Sequence, residues 1–316
     1  MQLGSDHVRV RVPATSANLG PGFDALGLAL GVYDDLDVRA VASDDVVVEV
    51  EGEGAGEVPT DESHLVVRAL QAALESVGAP LTGLRVHCVN RIPHGRGLGS
   101  SAAAVVAGLA AARALVADPR SLDDAALLRM ADGFEGHPDN AAPAISGGAT
   151  IAWTGGAAGA GHDQTVRAVR LPVHPDVRAT VVVPTHRLAT SHARGVLPDV
   201  VPHADAARGA GRAALLVQAL GRSPELLLDA TEDVLHQQYR SGAMAGSWEL
   251  LCALRAQGYA ATVSGAGPSV LVLSTAAGLR PLDAAVEGLV GDDPAWAVLR
   301  PALDLDGVRT ERVGGP

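Results

Sequence analysis

Valines at positions 8, 10 and 12 alternate with arginines at 9 and 11, and the same rhythm of period two returns at 37–40, 46–50 and 84–88. Such alternation puts every second side chain on one face, so each segment is predicted to be a half-buried strand. Residues 65–77 carry apolar positions at helical spacing instead. Helices are also expected over the alanine-rich run beginning near residue 100 and over 121–131, 243–257 and 282–290. Ser121, with Asp124 three residues on, is the expected cap of the helix over 121–131. Residues 147–153 read as a turn into a strand, and short strands follow at 166–171 and 179–183. Strands at 260–264 and 269–273 flank Gly265-Ala266-Gly267-Pro268 as in a hairpin.

Between the halves the composition breaks. Residues 154–162, T-G-G-A-A-G-A-G-H, hold little that packs, and a domain boundary is predicted there, giving 1–162 and 163–316. The last ~15 residues are expected to fray. A chain of 316 residues suits two domains of ordinary size better than one small core. With 47% hydrophobic but only 3% aromatic residues, their cores must be built from Ala, Val and Leu.

The formal charge of −12 argues against nucleic acid as a partner, since that binding leans on clustered positive charge. The N-terminus lacks the apolar stretch of a signal peptide, and the longest uncharged apolar run, 102–112, is too short to span a bilayer. A soluble, cytoplasmic protein without a membrane partner is expected. Cys88 and Cys252 lie far apart, without metal-like spacing and in apolar segments, and read as reduced core thiols.

The densest chemistry lies between the strand at 84–88 and the alanine-rich helix. There Gly95, Gly97 and Gly99 occupy the turn, and Ser100 and Ser101 open the helix. A helix's first turn leaves backbone N–H groups unpartnered and carries the positive end of the dipole, so a phosphate is the natural guest. All 24 basic residues are arginines. The missing lysine excludes a Walker loop, a protein-kinase strand lysine and a lysine Schiff base. A bound nucleotide must then rely on backbone, metal and arginine.

Three other stretches stand out. Glu135-Gly136-His137-Pro138-Asp139-Asn140 packs acid, imidazole and amide between glycine and proline, which makes a poor core and a good site. Residues 14–24 are too rich in turn residues to be buried packing; Asn18 and Asp24 there are either turn and cap residues or part of a site. Thr190 and Arg194 fall one helical turn apart, and Arg240 offers a second arginine for a carboxylate.

The segment P-H-G-R-G-L-G-S-S-A-A, residues 93–103, resembles the phosphate loop of the GHMP kinases, named for galactokinase, homoserine kinase, mevalonate kinase and phosphomevalonate kinase. Segments 13–27 and 263–273 follow the family's order. The resemblance implies a two-domain α+β fold, with a ribosomal-protein-S5-domain-2-like N-terminal domain on a mixed sheet and a ferredoxin-like C-terminal domain. It implies ATP bound by Pro93, His94, Gly95, Arg96, Gly97, Leu98, Gly99, Ser100, Ser101, Ala102 and Ala103, Mg²⁺ on Ser101 and Glu135, and a homodimer. It also sets residues 64–69 beside the adenine, with His64 where relatives carry Asn; a solvated histidine at a helix start is the alternative.

Segments 190–198 and 233–240, taken with 13–24 and 136–144, narrow the likeness to the branch that phosphorylates L-homoserine. That likeness implies a substrate shell of Asn18, Asp24, His137, Thr190, Arg194, Arg240, Gly265 and Gly267. The catalytic set it implies is Asn18, Asp24, Ser101, Glu135, Asn140 and Arg194. Asn140 stands where some members place an aspartate, and an amide cannot act as a base. Direct in-line transfer without a carboxylate base is therefore expected. Two rival readings are another small-molecule member acting on mevalonate or a sugar, and a catalytically silent member that binds a metabolite.

Overall fold

A computed structural model describes residues 2–155 and 165–314. The first lobe comprises β1 (His7–Ala17), β2 (Leu26–Val41), β3 (Val46–Gly52), α1 (Leu65–Ser76), β4 (Gly83–Asn90), α2 (Ser100–Leu115), α3 (Asp124–Glu135), α4 (Ala141–Ser146), β5 (Ala149–Gly155) and β6 (Thr165–Leu171). The second begins with β7 (Val177–Pro184), α5 (Thr190–Gly195), α6 (His203–Gly221), α7 (Leu227–Ala230) and α8 (Gln237–Arg240). It is completed by α9 (Ala245–Ala256), β8 (Ala260–Val263), β9 (Val270–Thr275), α10 (Leu279–Val290) and β10 (Trp296–Leu299). The chain then returns to the first lobe as β11 (Arg309–Arg312).

The first sheet has the order β11-β1-β2-β4-β3, with β5 pairing β2 and β6. Only β3 and β4 run parallel, so the sheet is mixed. The alternation that predicted β1 buries Val8, Val10 and Val12 and turns Arg9 and Arg11 outward. Across the ladder those arginines face Asp37 and Asp35, at 3.0 and 2.7 Å. A slip by one residue would bury the charges, so the pattern specifies register. Helix α2 is buried all round, packed between α1 and the sheet. A side chain on Gly108 would fall onto the Val66 carbonyl. That is why its periodicity is nearly pure alanine, valine and leucine.

The second sheet has the order β10-β7-β9-β8 and is antiparallel throughout. With helices between β7 and β8 and between β9 and β10, this is the ferredoxin-like arrangement. One core joins the first sheet and its helices to one side of the second lobe; another lies among β7, β8, β9, α9 and α10.

The 162/163 boundary lies among residues 156–164, outside the described residues; β5 and β6 on either side of them pair within one sheet. Other expectations are corrected. The C-terminus is tied down as far as residue 313: β11 pairs with β1, Val313 N donates to the His7 carbonyl, and Arg312 donates to the Ala114 and Val116 carbonyls at 2.8 and 2.6 Å. Ser121 does not cap α3. A 3-10 turn at Pro119–Leu122 intervenes, and the Asp123 carboxylate accepts from Ala126 N. Cys252 is exposed on α9, and both cysteines are free. No helix among the described residues is long and apolar enough to cross a membrane.

Candidate active site

The cleft lies where the first lobe's phosphate loop meets the β8–β9 hairpin of the second. Residues 14–21, expected to be exposed turns, are instead buried at this seam. Their polar groups bond to the hairpin, to Asn140 and to Asp24 N. The Thr15 hydroxyl donates to Asn140 Oδ1 at 2.9 Å, Ser264 Oγ donates to Ser16 Oγ at 2.8 Å, and Asn18 Nδ2 donates to the Gly265 carbonyl at 2.8 Å. Asn18 Oδ1 also accepts from Asp24 N, so both ends of that amide are engaged. Asn18, Leu19 and Asp24 hold positive φ, a conformation sustained only where surrounding bonds over-determine it.

In the phosphate loop Gly97 has φ +74°, and a side chain there would run into the Ser264 carbonyl of the hairpin. Gly99, also left-handed, is the N-cap of α2, and no side chain caps that terminus. The helix start thus faces the cleft uncapped, beside the Ser100 and Ser101 hydroxyls. Ala102 lines the cleft beside them, while several of the loop's other side chains turn elsewhere. Leu98 and Ala103 are buried in the core, and Pro93 is half-buried. Arg96, expected at the nucleotide, donates instead to the Pro184 and Thr185 carbonyls at 3.0 Å each and pairs with Glu53. It stitches the loop to the end of β7, and Leu188 N donates to the Gly95 carbonyl beside it.

A second cavity adjoins the cleft through the shared Ser100 and Ser101, lined by His64, His94, Asp34 and Cys88. His64 is buried rather than solvated. Its Nδ1 accepts from Val66 N at 3.3 Å, capping α1, and burial holds its pKa below the ordinary value. Burial pushes the Cys88 thiol up to about 12. The Asp34 carboxylate accepts from Arg91 N and Ile92 N at 2.6 and 2.9 Å, yet burial outweighs those bonds and pushes it up to about 6. Above that pH the folded state holds a poorly solvated charge that the unfolded chain would hydrate; the cost vanishes as pH falls through 6 toward 4. Asp34→Asn keeps the acceptor, and is expected to stabilise the fold by about 1–3 kcal/mol at pH 8 and by little at pH 4. Thermal unfolding at the two pH values checks this; no gain at pH 8 would show that the carboxylate is hydrated there.

On the cleft's other side Ser101 Oγ donates to Glu135 Oε1 at 2.6 Å, from the first turn of α2 to the last of α3. This hydroxyl and carboxylate are oxygen donors of the kind Mg²⁺ takes, and they sit at the mouth of the phosphate loop. His137 Nδ1 lies 3.0 Å from the buried Asp139 carboxylate, which raises the imidazole's pKa. Thr190 and Arg194 enter from α5, and Gly265 from the hairpin. Gly267 is not among the residues that line the cleft; a side chain there would meet Met244, while its carbonyl lies beside Gly97 of the phosphate loop. Arg194 pairs with Asp24 through two bonds of 3.0 and 2.6 Å.

Arg240 differs from every other arginine of the cleft. It is 1% exposed, lines the cleft, and donates only to neutral groups: the Ala193 and Gly265 carbonyls at 3.1 and 3.2 Å, and His236 Nδ1 at 3.1 Å. Burial and the nearby Arg194 guanidinium lower its pKa to about 10, which leaves it cationic at neutral pH. Among the described residues no carboxylate forms an ion pair with it. Asp139, Thr15 and His236 were not singled out from the sequence. Asp139 lay inside a stretch already marked, and His236 sits one helical turn before Arg240, a spacing that was legible.

The family described as GHMP kinases, N terminal domain, matches residues 64–148. The homoserine kinase of Streptomyces coelicolor is 52% identical over 303 residues, covering 95% of this chain and 93% of that one. The homoserine kinase of Mycolicibacterium smegmatis is 54% identical over 270 residues, covering 85% of each. A crystal structure of homoserine kinase from Cytophaga hutchinsonii superposes with a TM-score of 0.82 at 26% identity, covering 98% of both chains. Half of all positions shared along nearly the whole of two chains, and one backbone arrangement across both lobes, make this chain a member of the homoserine kinase family of GHMP kinases.

Proposed function

We propose that the protein transfers the γ-phosphoryl group of ATP to the side-chain hydroxyl of L-homoserine, giving O-phospho-L-homoserine and ADP in threonine biosynthesis. As the resemblance implies, it would act in the cytoplasm as a homodimer. Family membership supports an ATP-dependent phosphotransferase acting on an alcohol. The choice of acceptor follows the family, and the observation in this chain that supports it is the buried guanidinium of Arg240, lining the cleft with the phosphate loop and in ion-pair contact with no carboxylate among the described residues. Asp24, Asp139 and Asp233 compensate that cation only from a distance, and a substrate carboxylate in direct contact would relieve the remaining cost.

Homoserine is a zwitterion, and the Arg194–Asp24 pair is its complement. Substrate carboxylate would take Arg240 and Arg194 while the ammonium takes Asp24, so each ionised end of the substrate meets opposite charge and the site keeps the single excess positive charge it had before. Asn18, bonded to Asp24 N and to the hairpin, holds that carboxylate in register with Arg240. The triphosphate would lie along the start of α2, with the base toward His64 and Asp34. Ser101 and Glu135 would hold Mg²⁺, which when bound neutralises charge on the β- and γ-phosphates.

The new bond joins the homoserine oxygen to the γ-phosphorus as the bridging bond to ADP breaks, and the hydroxyl proton passes to an oxygen of the transferred group. A loose transition state asks the protein mainly for positioning and charge. Asp139, 3.0 Å from His137 Nδ1, raises the imidazole's pKa and so favours the protonated form. Asn140 Oδ1 already accepts from Thr15 and serves to hold the seam. Asn140→Ala is accordingly expected to keep activity within about tenfold of the parent, whereas removal of a true general base costs about 10²–10⁴. Loss on that larger scale would make Asn140 part of the chemistry.

The test of the function is ADP release from Mg-ATP with L-homoserine, L-threonine, mevalonate and galactose, each product identified by mass. Homoserine-dependent turnover supports the reading. Turnover only with another acceptor would remove the roles of Arg194 and Arg240, and ATP binding without turnover would favour a metabolite-binding protein.

A further inference from the structure

His236 is fully buried against the back of Arg240, and none of its polar atoms faces the cleft. Its Nε2 lies 2.8 Å from the Gly20 carbonyl, which can only accept, so Nε2 carries the proton. Its Nδ1 lies 3.1 Å from Arg240 Nη1, which can only donate, so Nδ1 carries the lone pair. Both partners select the same neutral tautomer, and burial lowers the imidazole's pKa in the same sense. The ring stacks on Phe23 at 5.0 Å, and the Phe23 ring in turn lies under both guanidinium groups, at 5.7 Å from Arg194 and 5.5 Å from Arg240. Asp233 is the nearby carboxylate, 3.7 Å from Nε2, but its oxygens accept from the backbone N–H groups of Leu235, His236 and Gln237.

We infer that His236 is a positioning residue for the acceptor's carboxylate, aiming the Arg240 guanidinium with a neutral acceptor so that its charge stays free for substrate. The inference rests on the proposed function. A carboxylate in this place would hold the same guanidinium equally well, but it would neutralise the cation and compete with the substrate. An apolar residue would leave the fork unaimed. A neutral imidazole, locked from behind by a backbone carbonyl, does neither. The sequence marks the arrangement as His236 and Arg240 at i and i+4.

Steady-state kinetics of His236→Leu, His236→Asn and His236→Asp, each checked for folding by circular dichroism, test this. In His236→Asn an amide oxygen can stand where Nδ1 stands. His236→Leu is expected to raise the KM for homoserine by about 10- to 100-fold, as for loss of a hydrogen bond to a charged group, with the KM for ATP within about twofold. His236→Asn should recover most of that, and His236→Asp should stay as impaired as the leucine variant because it quenches the charge. Equal damage by Asn and Leu, a parallel rise in both KM values, or wild-type behaviour of the Asp variant would each overturn the inference. Should His236→Leu not fold, the contrast between Asn and Asp decides. Failure of the wild-type protein to use homoserine would sink the proposed function itself. Homoserine turnover that depends on Arg240 but not on His236 would sink this inference alone.

Discussion

Replacing Arg240 by leucine is expected to raise the KM for L-homoserine by about a hundredfold or more while leaving that for ATP within about twofold. The size follows from the environment: removing one partner of a buried, hydrogen-bonded charge pair costs about 3–5 kcal/mol, and each 1.4 kcal/mol is tenfold in affinity. Arg240 is 1% exposed and, among the described residues, donates only to neutral acceptors, so the substrate carboxylate would be its first ion-pair partner in direct contact. The selectivity follows from placement, because the guanidinium reaches the cleft from α8, behind the hairpin, whereas the nucleotide side is built by α2 and β4. Arg240→Lys retains the charge without the fork and should fall between the two. Equal rises in both KM values would show that Arg240 holds the fold or the nucleotide instead.

Glu135→Ala and Glu135→Gln should each lower kcat by about 10²–10³, on the scale seen when one preorganised transition-state charge contact is removed, and shift the Mg²⁺ requirement upward. Glutamine is the discriminating variant. It keeps an oxygen for the Ser101 hydroxyl, 2.6 Å away, but not the negative charge. If the carboxylate merely ties α2 to α3, Glu135→Gln will behave as wild type and its Mg²⁺ titration will not move. Parallel loss in both variants, partly restored at high Mg²⁺, assigns the carboxylate to the metal.

Much of the fold was written in periodicity. Strands β1 and β4 of the first sheet follow alternating apolar positions, whereas β7, β8 and β9 of the second are nearly continuous buried runs; the left-handed glycines of the phosphate loop lie where the pattern changes from period two to helical. What escaped has physical causes. Helix α6 buries chiefly Gly209, Leu216, Ala219 and Leu220, and small residues give little contrast between its faces. Residues 14–21 resemble an exposed turn because they are polar and glycine-rich. They are buried because their hydroxyls and amides bond across a seam between segments some 125 and 248 residues apart, a fact no local window contains. The resemblance sets Arg96 at the nucleotide, whereas its guanidinium bonds to the Pro184 and Thr185 carbonyls at the end of β7. Glu135 and Ser101 could be named from the resemblance, whereas the unpaired state of Arg240 becomes visible only once the chain around it is closed.

The pairing of β11 with β1 also orders events in time. Val8 meets Arg312, so β1 waits for a segment some 300 residues further on before its outer edge is covered. The second sheet, whose strands span 177–299, needs nothing beyond residue 299 to pair. A chain cut short before residue 309 would keep every strand of the second sheet while β1 presents a bare edge, open to pairing with another chain.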